Sequence, residues 1–119
     1  MSDESKQLGR SGEERAAEFL MARGYTILAR NCRTRFGEID IIARDGKAAV
    51  FVEVKARSSQ SFGTAREAVN RKKQAKLALI IRDFVAAQNY MGPVRCEVVA
   101  IDGRGEPELV SEMDFTDID

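Results

Sequence analysis

The sequence predicts one α/β domain with the element order α-β-β-β-α-β, in which helices cover both faces of a mixed central sheet. Its 119 residues match the usual length of a single domain, and 44% of them are hydrophobic, which is enough to form a core. Two strand-length apolar runs flank the dipeptide Asp45-Gly46, a strong signal for a β-hairpin. Further along the chain, apolar residues recur at helical spacing, at Leu77, Ile80, Ile81, Phe84 and Val85.

The first helix is predicted from a capping box, in which Ser11 serves as the N-cap and Glu14 reaches back to its amide. An apolar stripe follows, and Gly24 ends the helix after about three turns. Residues 1–8 are mostly polar, and we expect them to be disordered.

The first three strands follow this helix in the chain. Residues 25–30 alternate between apolar and polar types and predict a strand, whereas residues 31–36 predict a loop. Residues 37–43 and 48–56 predict the second and third strands on either side of Asp45-Gly46.

The second half of the chain predicts a helix and a further strand. A polar loop over residues 58–63 leads into a helix over residues 64–89, and residues 95–102 form a fourth strand. The acidic residues 103–119 are weakly specified and are compatible with an edge strand.

Composition excludes several kinds of site. The chain has no histidine, which excludes Ser-His-Asp and Cys-His catalysis and a histidine-ligated zinc site. Carboxylates remain as ligands, and they favour hard cations such as Mg²⁺ or Mn²⁺. Cys32 and Cys96 form no metal-binding motif, and the polar start of the chain has no secretory signal pattern. We therefore expect a cytoplasmic protein with no membrane segment.

Charge is unevenly distributed in a chain whose net charge is zero. Residues 54–96 hold nine Lys and Arg and two acids, whereas residues 97–119 hold eight acids and one Arg. The basic segment suits a polyanionic partner, and the alternative is a solvated helix face. Helix stability does not explain basic residues at a helix start, because the helix dipole opposes them.

The predicted hairpin collects charged residues on one face. With Asp45-Gly46 at the centre of the turn, Arg44 lies opposite Lys47, and Glu38 lies opposite Glu53. Because side chains alternate along a strand, one face carries charged side chains and the other carries apolar ones. The charged set is Glu38, Asp40, Glu53 and Lys55. The apolar set is Ile39, Ile41, Val50, Val52 and Val54.

This charged face carries three carboxylates and one lysine. Like charges opposite one another destabilise a strand pair, so a divalent cation among these carboxylates would offset the repulsion. The alternative is an amphipathic hairpin whose charged face lies in water, as half-exposed strands commonly do.

The order of the motifs resembles a known family. Asp40 is followed, after twelve residues, by Glu53-Val54-Lys55, which resembles the D…(D/E)xK signature of the restriction-endonuclease-like superfamily. The match extends over nearly the whole chain through Gly9-x-x-Gly12-Glu13 with Ala16, Arg30-Asn31 with Arg33, GEIDIIARDG, VFVEVKARSS, Phe62-Gly63, Lys73-Gln74 and Arg95-x-Glu97-Val-Val-Ala100. These motifs follow the YraN-type family of uncharacterised bacterial proteins, which are viewed as predicted endonucleases similar to archaeal Holliday-junction resolvases.

The resemblance implies roles for the residues that match. Asp40 and Glu53 would ligate Mg²⁺ or Mn²⁺, with the Val54 carbonyl as a further ligand. Lys55 would orient or deprotonate the attacking water.

The resemblance also concerns three other acids. Glu13 would bring an extra acid to the site; alternatively, it is a favourable charge near a helix N-terminus. Glu38 lies next to the residues that would ligate the metal. Glu97 stands where the family more often has Asp.

The implied function is metal-dependent hydrolysis of DNA phosphodiesters, selective for the structure of the DNA, by an enzyme that works as a symmetric dimer. Basic residues would meet flanking phosphates, namely Arg33, Arg35, Arg57, Arg71, Lys72, Lys73 and Lys76. The content of six Phe, two Tyr and no Trp argues against a surface that stacks single strands. The alternative is a DNA-binding or adaptor module that keeps the fold and cleaves little or not at all.

Overall fold

The computed structural model describes residues 2–57, 71–102 and 106–114; for residues 2–11, 56–57, 71–74, 102 and 110–114 it describes the backbone alone. The elements in chain order are α1 (Ser2–Ala22), β1 (Thr26–Thr34), β2 (Gly37–Asp45), β3 (Ala48–Arg57), α2 (Arg71–Gln88), β4 (Val94–Asp102) and β5 (Glu108–Asp114). The predicted loop over residues 58–63 and the start of the predicted second helix lie outside the described residues.

The five strands form one sheet in the order β1-β2-β3-β4-β5. β3 and β4 are parallel, and the other neighbouring strands are antiparallel. The predicted mixed sheet is therefore confirmed, and β5 adds an edge strand from the acidic C-terminal segment.

The two helices cover opposite faces of this sheet, as the sequence predicts. One buried cluster joins α1 to the sheet through Ala16, Ala17, Leu20, Tyr25, Ile41, Ala43, Ala48, Val50, Val52, Val99 and Ile101. The other joins α2 to the sheet through Ile39, Ile42, Ala49, Phe51, Leu77, Ile81, Val94 and Cys96. Burial of these apolar side chains on both faces is the main source of stability.

The α1 helix is longer than the capping box predicts. It begins at Ser2, so Ser11 lies inside the helix and the predicted N-cap is wrong. Residues 2–10 contain no proline and include several good helix formers, which is compatible with a helix over residues 2–8, where disorder was expected. The predicted end is confirmed: Gly24 has φ +95°, and the Tyr25 amide donates to the Leu20 carbonyl at 3.0 Å.

The β1 strand continues through the segment predicted as a loop. Arg33 pairs with Glu38 and Thr34 pairs with Gly37, so only Arg35 and Phe36 form the turn into β2. Because β1 is an edge strand, its polar residues can face water, and the sequence loses the alternation that marks a half-buried strand. A register shift between Ile27 and Ala29 and the positive φ of Asn31 (52°) make this edge irregular.

The hairpin register differs from the predicted one by two positions. Asp45 pairs with Ala48, and Ile42 pairs with Phe51, so the turn residues are Gly46 and Lys47. Gly46 takes the first turn position with φ +60°, a conformation that favours glycine and that two-residue hairpin turns require there. Because the shift is even, it preserves the predicted faces near the turn.

Candidate metal-binding and catalytic site

Asp40 lies where β2 and β3 stop pairing. Their register ends at Ile41 and Val52, one residue short of Asp40. Beyond that point, the Val54 amide donates a 2.7 Å hydrogen bond to Asp40 Oδ2. A side-chain carboxylate thus takes the place of a backbone acceptor, and it lies between the two strands beside the Glu53-Val54-Lys55 motif.

The strand β2 loses its regular alternation at this residue. Ile41 packs in the cluster on the α1 face, whereas Ile39 packs in the cluster on the α2 face. Residues two apart on a regular strand share a face, so the prediction that Ile39 lies with Ile41 is wrong. The interruption falls at Asp40, where an irregular strand can aim a side chain in a direction that a regular pleat does not allow.

Several negative charges converge on Asp40. Burial raises the pKa of its carboxyl group, and the hydrogen bond from the Val54 amide works in the opposite direction. The charges of Glu53, Glu13 and Glu38 raise this pKa further. Acids from α1, β2 and β3 are therefore close enough to act on one carboxylate.

Glu53 and Lys55 project together from β3. Lys55 Nζ lies 3.5 Å from Glu53 Oε1, and the two side chains are 15% (Glu53) and 21% (Lys55) exposed. In the parallel register with β4, Glu53 lies beside Val98 and Lys55 beside Ala100, and both neighbours are buried. The pair is thus held at the surface of a packed sheet, with its charged ends partly open to solvent.

Glu13 comes to the site from α1. It is half-buried, and Ala16, Ala17 and Leu20 pack the following turns of the helix against the sheet. Because α1 begins at Ser2, Glu13 lies in the middle of the helix. The alternative explanation, a favourable charge at a helix N-terminus, therefore does not apply, since that effect fades within the first turn.

Glu38 lies at the outer edge of the cluster. Its carboxylate is 3.5 Å from Arg33 Nε, and the side chains are 45% (Glu38) and 89% (Arg33) exposed. Glu38 therefore acts on Asp40 through its charge, while its own side chain is engaged with β1.

The predicted basic residues divide into three groups. Lys76 lies over the start of β2, where its Cδ and Cε would be 3.7 Å from a β-carbon placed on Gly37. Arg33 is paired with Glu38 as described, and Arg35 pairs with Asp83 at 3.1 Å. The side chains of the others, Arg57, Arg71, Lys72 and Lys73, lie outside the described part of the structure.

The donor set fits a hard divalent cation through two carboxylates and a backbone oxygen. Among the side chains that the structure describes, no three His, Cys, Asp or Glu groups are arranged to hold a metal. Asp40, Glu53 and the Val54 carbonyl would supply oxygen ligands, which Mg²⁺ and Mn²⁺ prefer. Burial and then the charges of the neighbouring acids raise the pKa of Asp40, and a bound cation would favour its ionised form.

A second charged network lies at the turn end of the hairpin, and the sequence did not predict it. Glu97 is fully buried, and the Tyr25 hydroxyl lies 2.9 Å from each of its carboxylate oxygens. Arg95 Nε donates to Glu97 Oε2 at 3.1 Å, and its terminal nitrogen donates to Asp45 Oδ2 at 2.8 Å. The local signal was the pair Arg95-x-Glu97 near the start of a mostly apolar strand.

Burial and neighbouring groups shift the pKa values of two residues in this network. Burial raises the pKa of the Tyr25 hydroxyl, and the hydrogen bond with Glu97 raises it further. Burial alone would lower the pKa of Arg95, but the hydrogen bond to Asp45 and the charge of Glu97 outweigh that effect and raise it. Each charge in this network therefore has an opposite charge beside it.

The fold and the site define a class of protein, a mixed α/β fold whose hairpin carries an Asp…Glu-x-Lys motif. Residues 12–101 match the uncharacterised protein family UPF0102. The chain belongs to this family, which is the YraN type that its motifs resemble.

Bacterial relatives match over most of their length. The chain is 48% identical to a UPF0102 protein of Symbiobacterium thermophilum over 89% of this chain and 94% of the relative. It is 44% identical to a UPF0102 protein of Thermodesulfovibrio yellowstonii over 82% of this chain and 88% of the relative. In the described part of the chain, neither helix combines the length and the hydropathy needed to cross a membrane.

Proposed function

We propose that the protein is a metal-dependent endonuclease that hydrolyses phosphodiesters in DNA. The observation that supports this best is the position of the Asp40 carboxylate, held between two strands by the Val54 amide and surrounded by the charges of Glu53, Glu13 and Glu38. A solvated charged face, the alternative, needs no partly buried carboxylate in a gap between strands.

Asp40 and Glu53 would hold the ion, with the Val54 carbonyl as a further ligand. When bound, a divalent cation supplies Lewis-acid chemistry, which makes water more acidic and stabilises charge on a phosphate. Asp40 is oriented for this role by its hydrogen bond from the Val54 amide. Glu13 and Glu38 add negative charge that attracts the cation.

Lys55 would orient the attacking water and add positive charge where the transition state develops negative charge. Its contact with Glu53 fixes the ammonium group next to one of the metal ligands. A lysine has three hydrogen-bond donors, so it can contact Glu53, a water molecule and a phosphate oxygen together.

The DNA would lie across the start of β2. Arg33 and Lys76 are exposed there, Arg33 beside Glu38 and Lys76 over Gly37. Contacts to phosphates hold DNA in place without reading its sequence, which suits an enzyme that selects branched DNA by its shape. The proposal includes a cytoplasmic location and a homodimer, both of which rest on the sequence interpretation.

Cleavage of a four-way DNA junction by the purified protein tests this proposal. We expect cleavage in Mg²⁺ and its loss in Asp40→Asn and in Glu53→Gln, because each variant removes a charged ligand. Asp40→Asn keeps an oxygen that can accept from the Val54 amide, so the fold should survive. Glu18→Gln, an exposed acid on α1, is the matched control and should cleave normally.

Two results would contradict the proposal. Cleavage that survives both substitutions would show that these carboxylates do not hold the catalytic ion. Salt-dependent DNA binding without cleavage, unchanged by Asp40→Asn, would favour the DNA-binding or adaptor module instead.

A further inference from the structure

A shallow cavity of about 220 Å³ lies between the turn joining β1 to β2 and the outer face of α2. We call it the turn pocket; it is lined by Arg35, Phe36, Leu79, Arg82, Asp83 and Ala86. Its volume is below the roughly 300–1,000 Å³ of pockets for drug-sized molecules, so it suits a small ligand or one part of a larger one.

The turn wall of this pocket is held in place before any ligand binds. The Phe36 amide donates to Thr34 Oγ1 at 3.1 Å, and the same hydroxyl donates to the Gly37 carbonyl at 2.7 Å. The Arg35 guanidinium lies 4.9 Å from the centre of the Phe36 ring. The turn therefore presents a flat guanidinium stacked on an aromatic ring.

The helix wall combines an apolar surface with charged groups. Leu79 is 42% exposed, whereas Leu77, Ile80 and Ile81 of the same helix are buried in the core. Asp83 pairs with Arg35, whose side chain is still 74% exposed. A planar ligand with polar edges would find apolar contact, a stacking surface and both hydrogen-bond donors and acceptors here.

The pocket is connected to the candidate site by β2. Asp40 is four positions after Phe36 along the chain, a distance of about 13 Å at about 3.3 Å per residue. The stem of Lys76 lies over Gly37, between the two. A DNA strand with a phosphate at Asp40 could therefore pass Lys76 and place a nearby nucleotide in the turn pocket.

We propose that the turn pocket binds one unstacked nucleobase of the DNA strand that occupies the site, an inference that rests on the proposed function. Nucleobases stack on guanidinium planes and aromatic rings, and their edges bond to Asp and Arg. One pocket of this size holds one base, so it is compatible with the low aromatic content of the chain. Branch points supply bases that are unpaired or easily unstacked, and the pocket would favour branched over plain duplex DNA.

Binding of junction DNA in EDTA tests the pocket without requiring cleavage. The probe is a fluorescent four-way junction carrying an abasic site at one position near the branch, with each position tested in turn. We expect one or two abasic positions to weaken binding to the wild type about tenfold, the effect of losing one stacked base. The phosphates are unchanged in these probes, so the loss reports on the base.

Two protein variants locate this effect. Leu79→Ser removes the apolar wall, and Arg35→Lys keeps the charge but removes the planar guanidinium. Each variant should bind the intact junction about as weakly as the wild type binds a junction that lacks the critical base. Removing that base from the junction should then weaken binding to the variant little further. Leu28→Ser on β1, where the leucine is 51% exposed, is the matched control and should behave like the wild type.

The outcomes separate this inference from the proposed function. A wild type that binds no junction overturns both. If the wild type cleaves normally but its binding is insensitive to every abasic site, the pocket inference alone is overturned. The same holds if an abasic site weakens binding to Leu79→Ser as much as it weakens binding to the wild type. A change in sedimentation from dimer to monomer in Leu79→Ser, with the abasic effect intact, would assign this face to a second copy of the chain and also overturn the pocket.

Discussion

Asp40 shows what can and cannot be predicted for a single residue. Alternation along β3 predicts that Glu53 and Lys55 share a face, and their side chains do lie together. Asp40 lies beyond the last paired residues of β2 and β3, where the alternation of β2 is interrupted. The hydrogen bond from Val54 to Asp40 was not predictable, because it forms where the two strands separate. Strand separation depends on packing across the whole sheet, and local sequence carries no signal for it.

The surroundings of Asp40 predict an unusual effect on stability. In metal-free buffer at pH 7, Asp40→Asn should raise the Tm, because asparagine is neutral and can still accept from the Val54 amide. A raised pKa in the folded state favours the protonated acid, so Asp40 stabilises the fold at low pH and loses that effect as pH rises through its folded pKa. The Tm advantage of the variant should therefore be small near pH 3.8, the ordinary pKa of Asp, and grow above it.

Thermal unfolding in EDTA at a series of pH values measures this effect. Glu18→Gln, which replaces an exposed acid on α1, serves as the control and should leave the Tm nearly unchanged. A lower Tm for Asp40→Asn at pH 7 would mean that the acids around Asp40 are not a source of repulsion.

Among the elements, the two helices end in the same way. Each is followed by a residue with positive φ, Gly24 after α1 and Asn89 after α2, and then by a tyrosine whose amide bonds back to the helix. The Tyr25 hydroxyl joins the Arg95 network, which reaches Asp45, and the Tyr90 hydroxyl donates to the Lys47 carbonyl. Both helix ends therefore hold the turn of the β2–β3 hairpin, one from each face of the sheet.

The stop at Gly24 was predictable from sequence, whereas the hydrogen-bonded network was not. Tyr25 and Glu97 are 72 residues apart in the chain, and nothing local pairs them. Glu97 also departs from the rule that charged residues avoid the core, a departure that is stable only when its partners are in place.

Removing the two tyrosine hydroxyls should have unequal effects. Tyr25→Phe takes a hydrogen-bond donor from a fully buried carboxylate and should lower the free energy of unfolding by about 1–3 kcal/mol. Tyr90→Phe is the matched substitution, and its carbonyl partners are exposed to water, so it should cost about 0.5–1.5 kcal/mol. Urea unfolding of both variants gives the comparison; equal losses would mean that burial of Glu97 adds nothing to the cost.

For the molecule as a whole, the hairpin separates two kinds of charged region. The Asp40 end carries the acids that act on Asp40, together with exposed Arg33 and Lys76, whereas the turn end carries the network in which Arg95 pairs with Asp45 and Glu97. The sequence predicted a basic segment, but only the fold shows that Lys76 from α2 is brought to the start of β2.

This arrangement predicts which basic residues control the salt dependence of DNA binding. Lys76→Ala should weaken binding to all DNA sequences and reduce the slope of log affinity against log salt by about one. Arg44→Ala removes an exposed charge of the same sign from the turn end of β2 and should leave the slope unchanged. Titrations at several salt concentrations distinguish the two, and equal slopes for both variants would place the DNA elsewhere.

The shared helix endings have a spectroscopic consequence. The chain contains two tyrosines and no tryptophan, so its intrinsic ultraviolet emission arises mainly from Tyr25 and Tyr90. Each ring sits at a junction on a different side of the sheet, and replacing one by phenylalanine leaves a label-free reporter of the other. Detachment of either helix could then be followed separately in an otherwise unmodified protein.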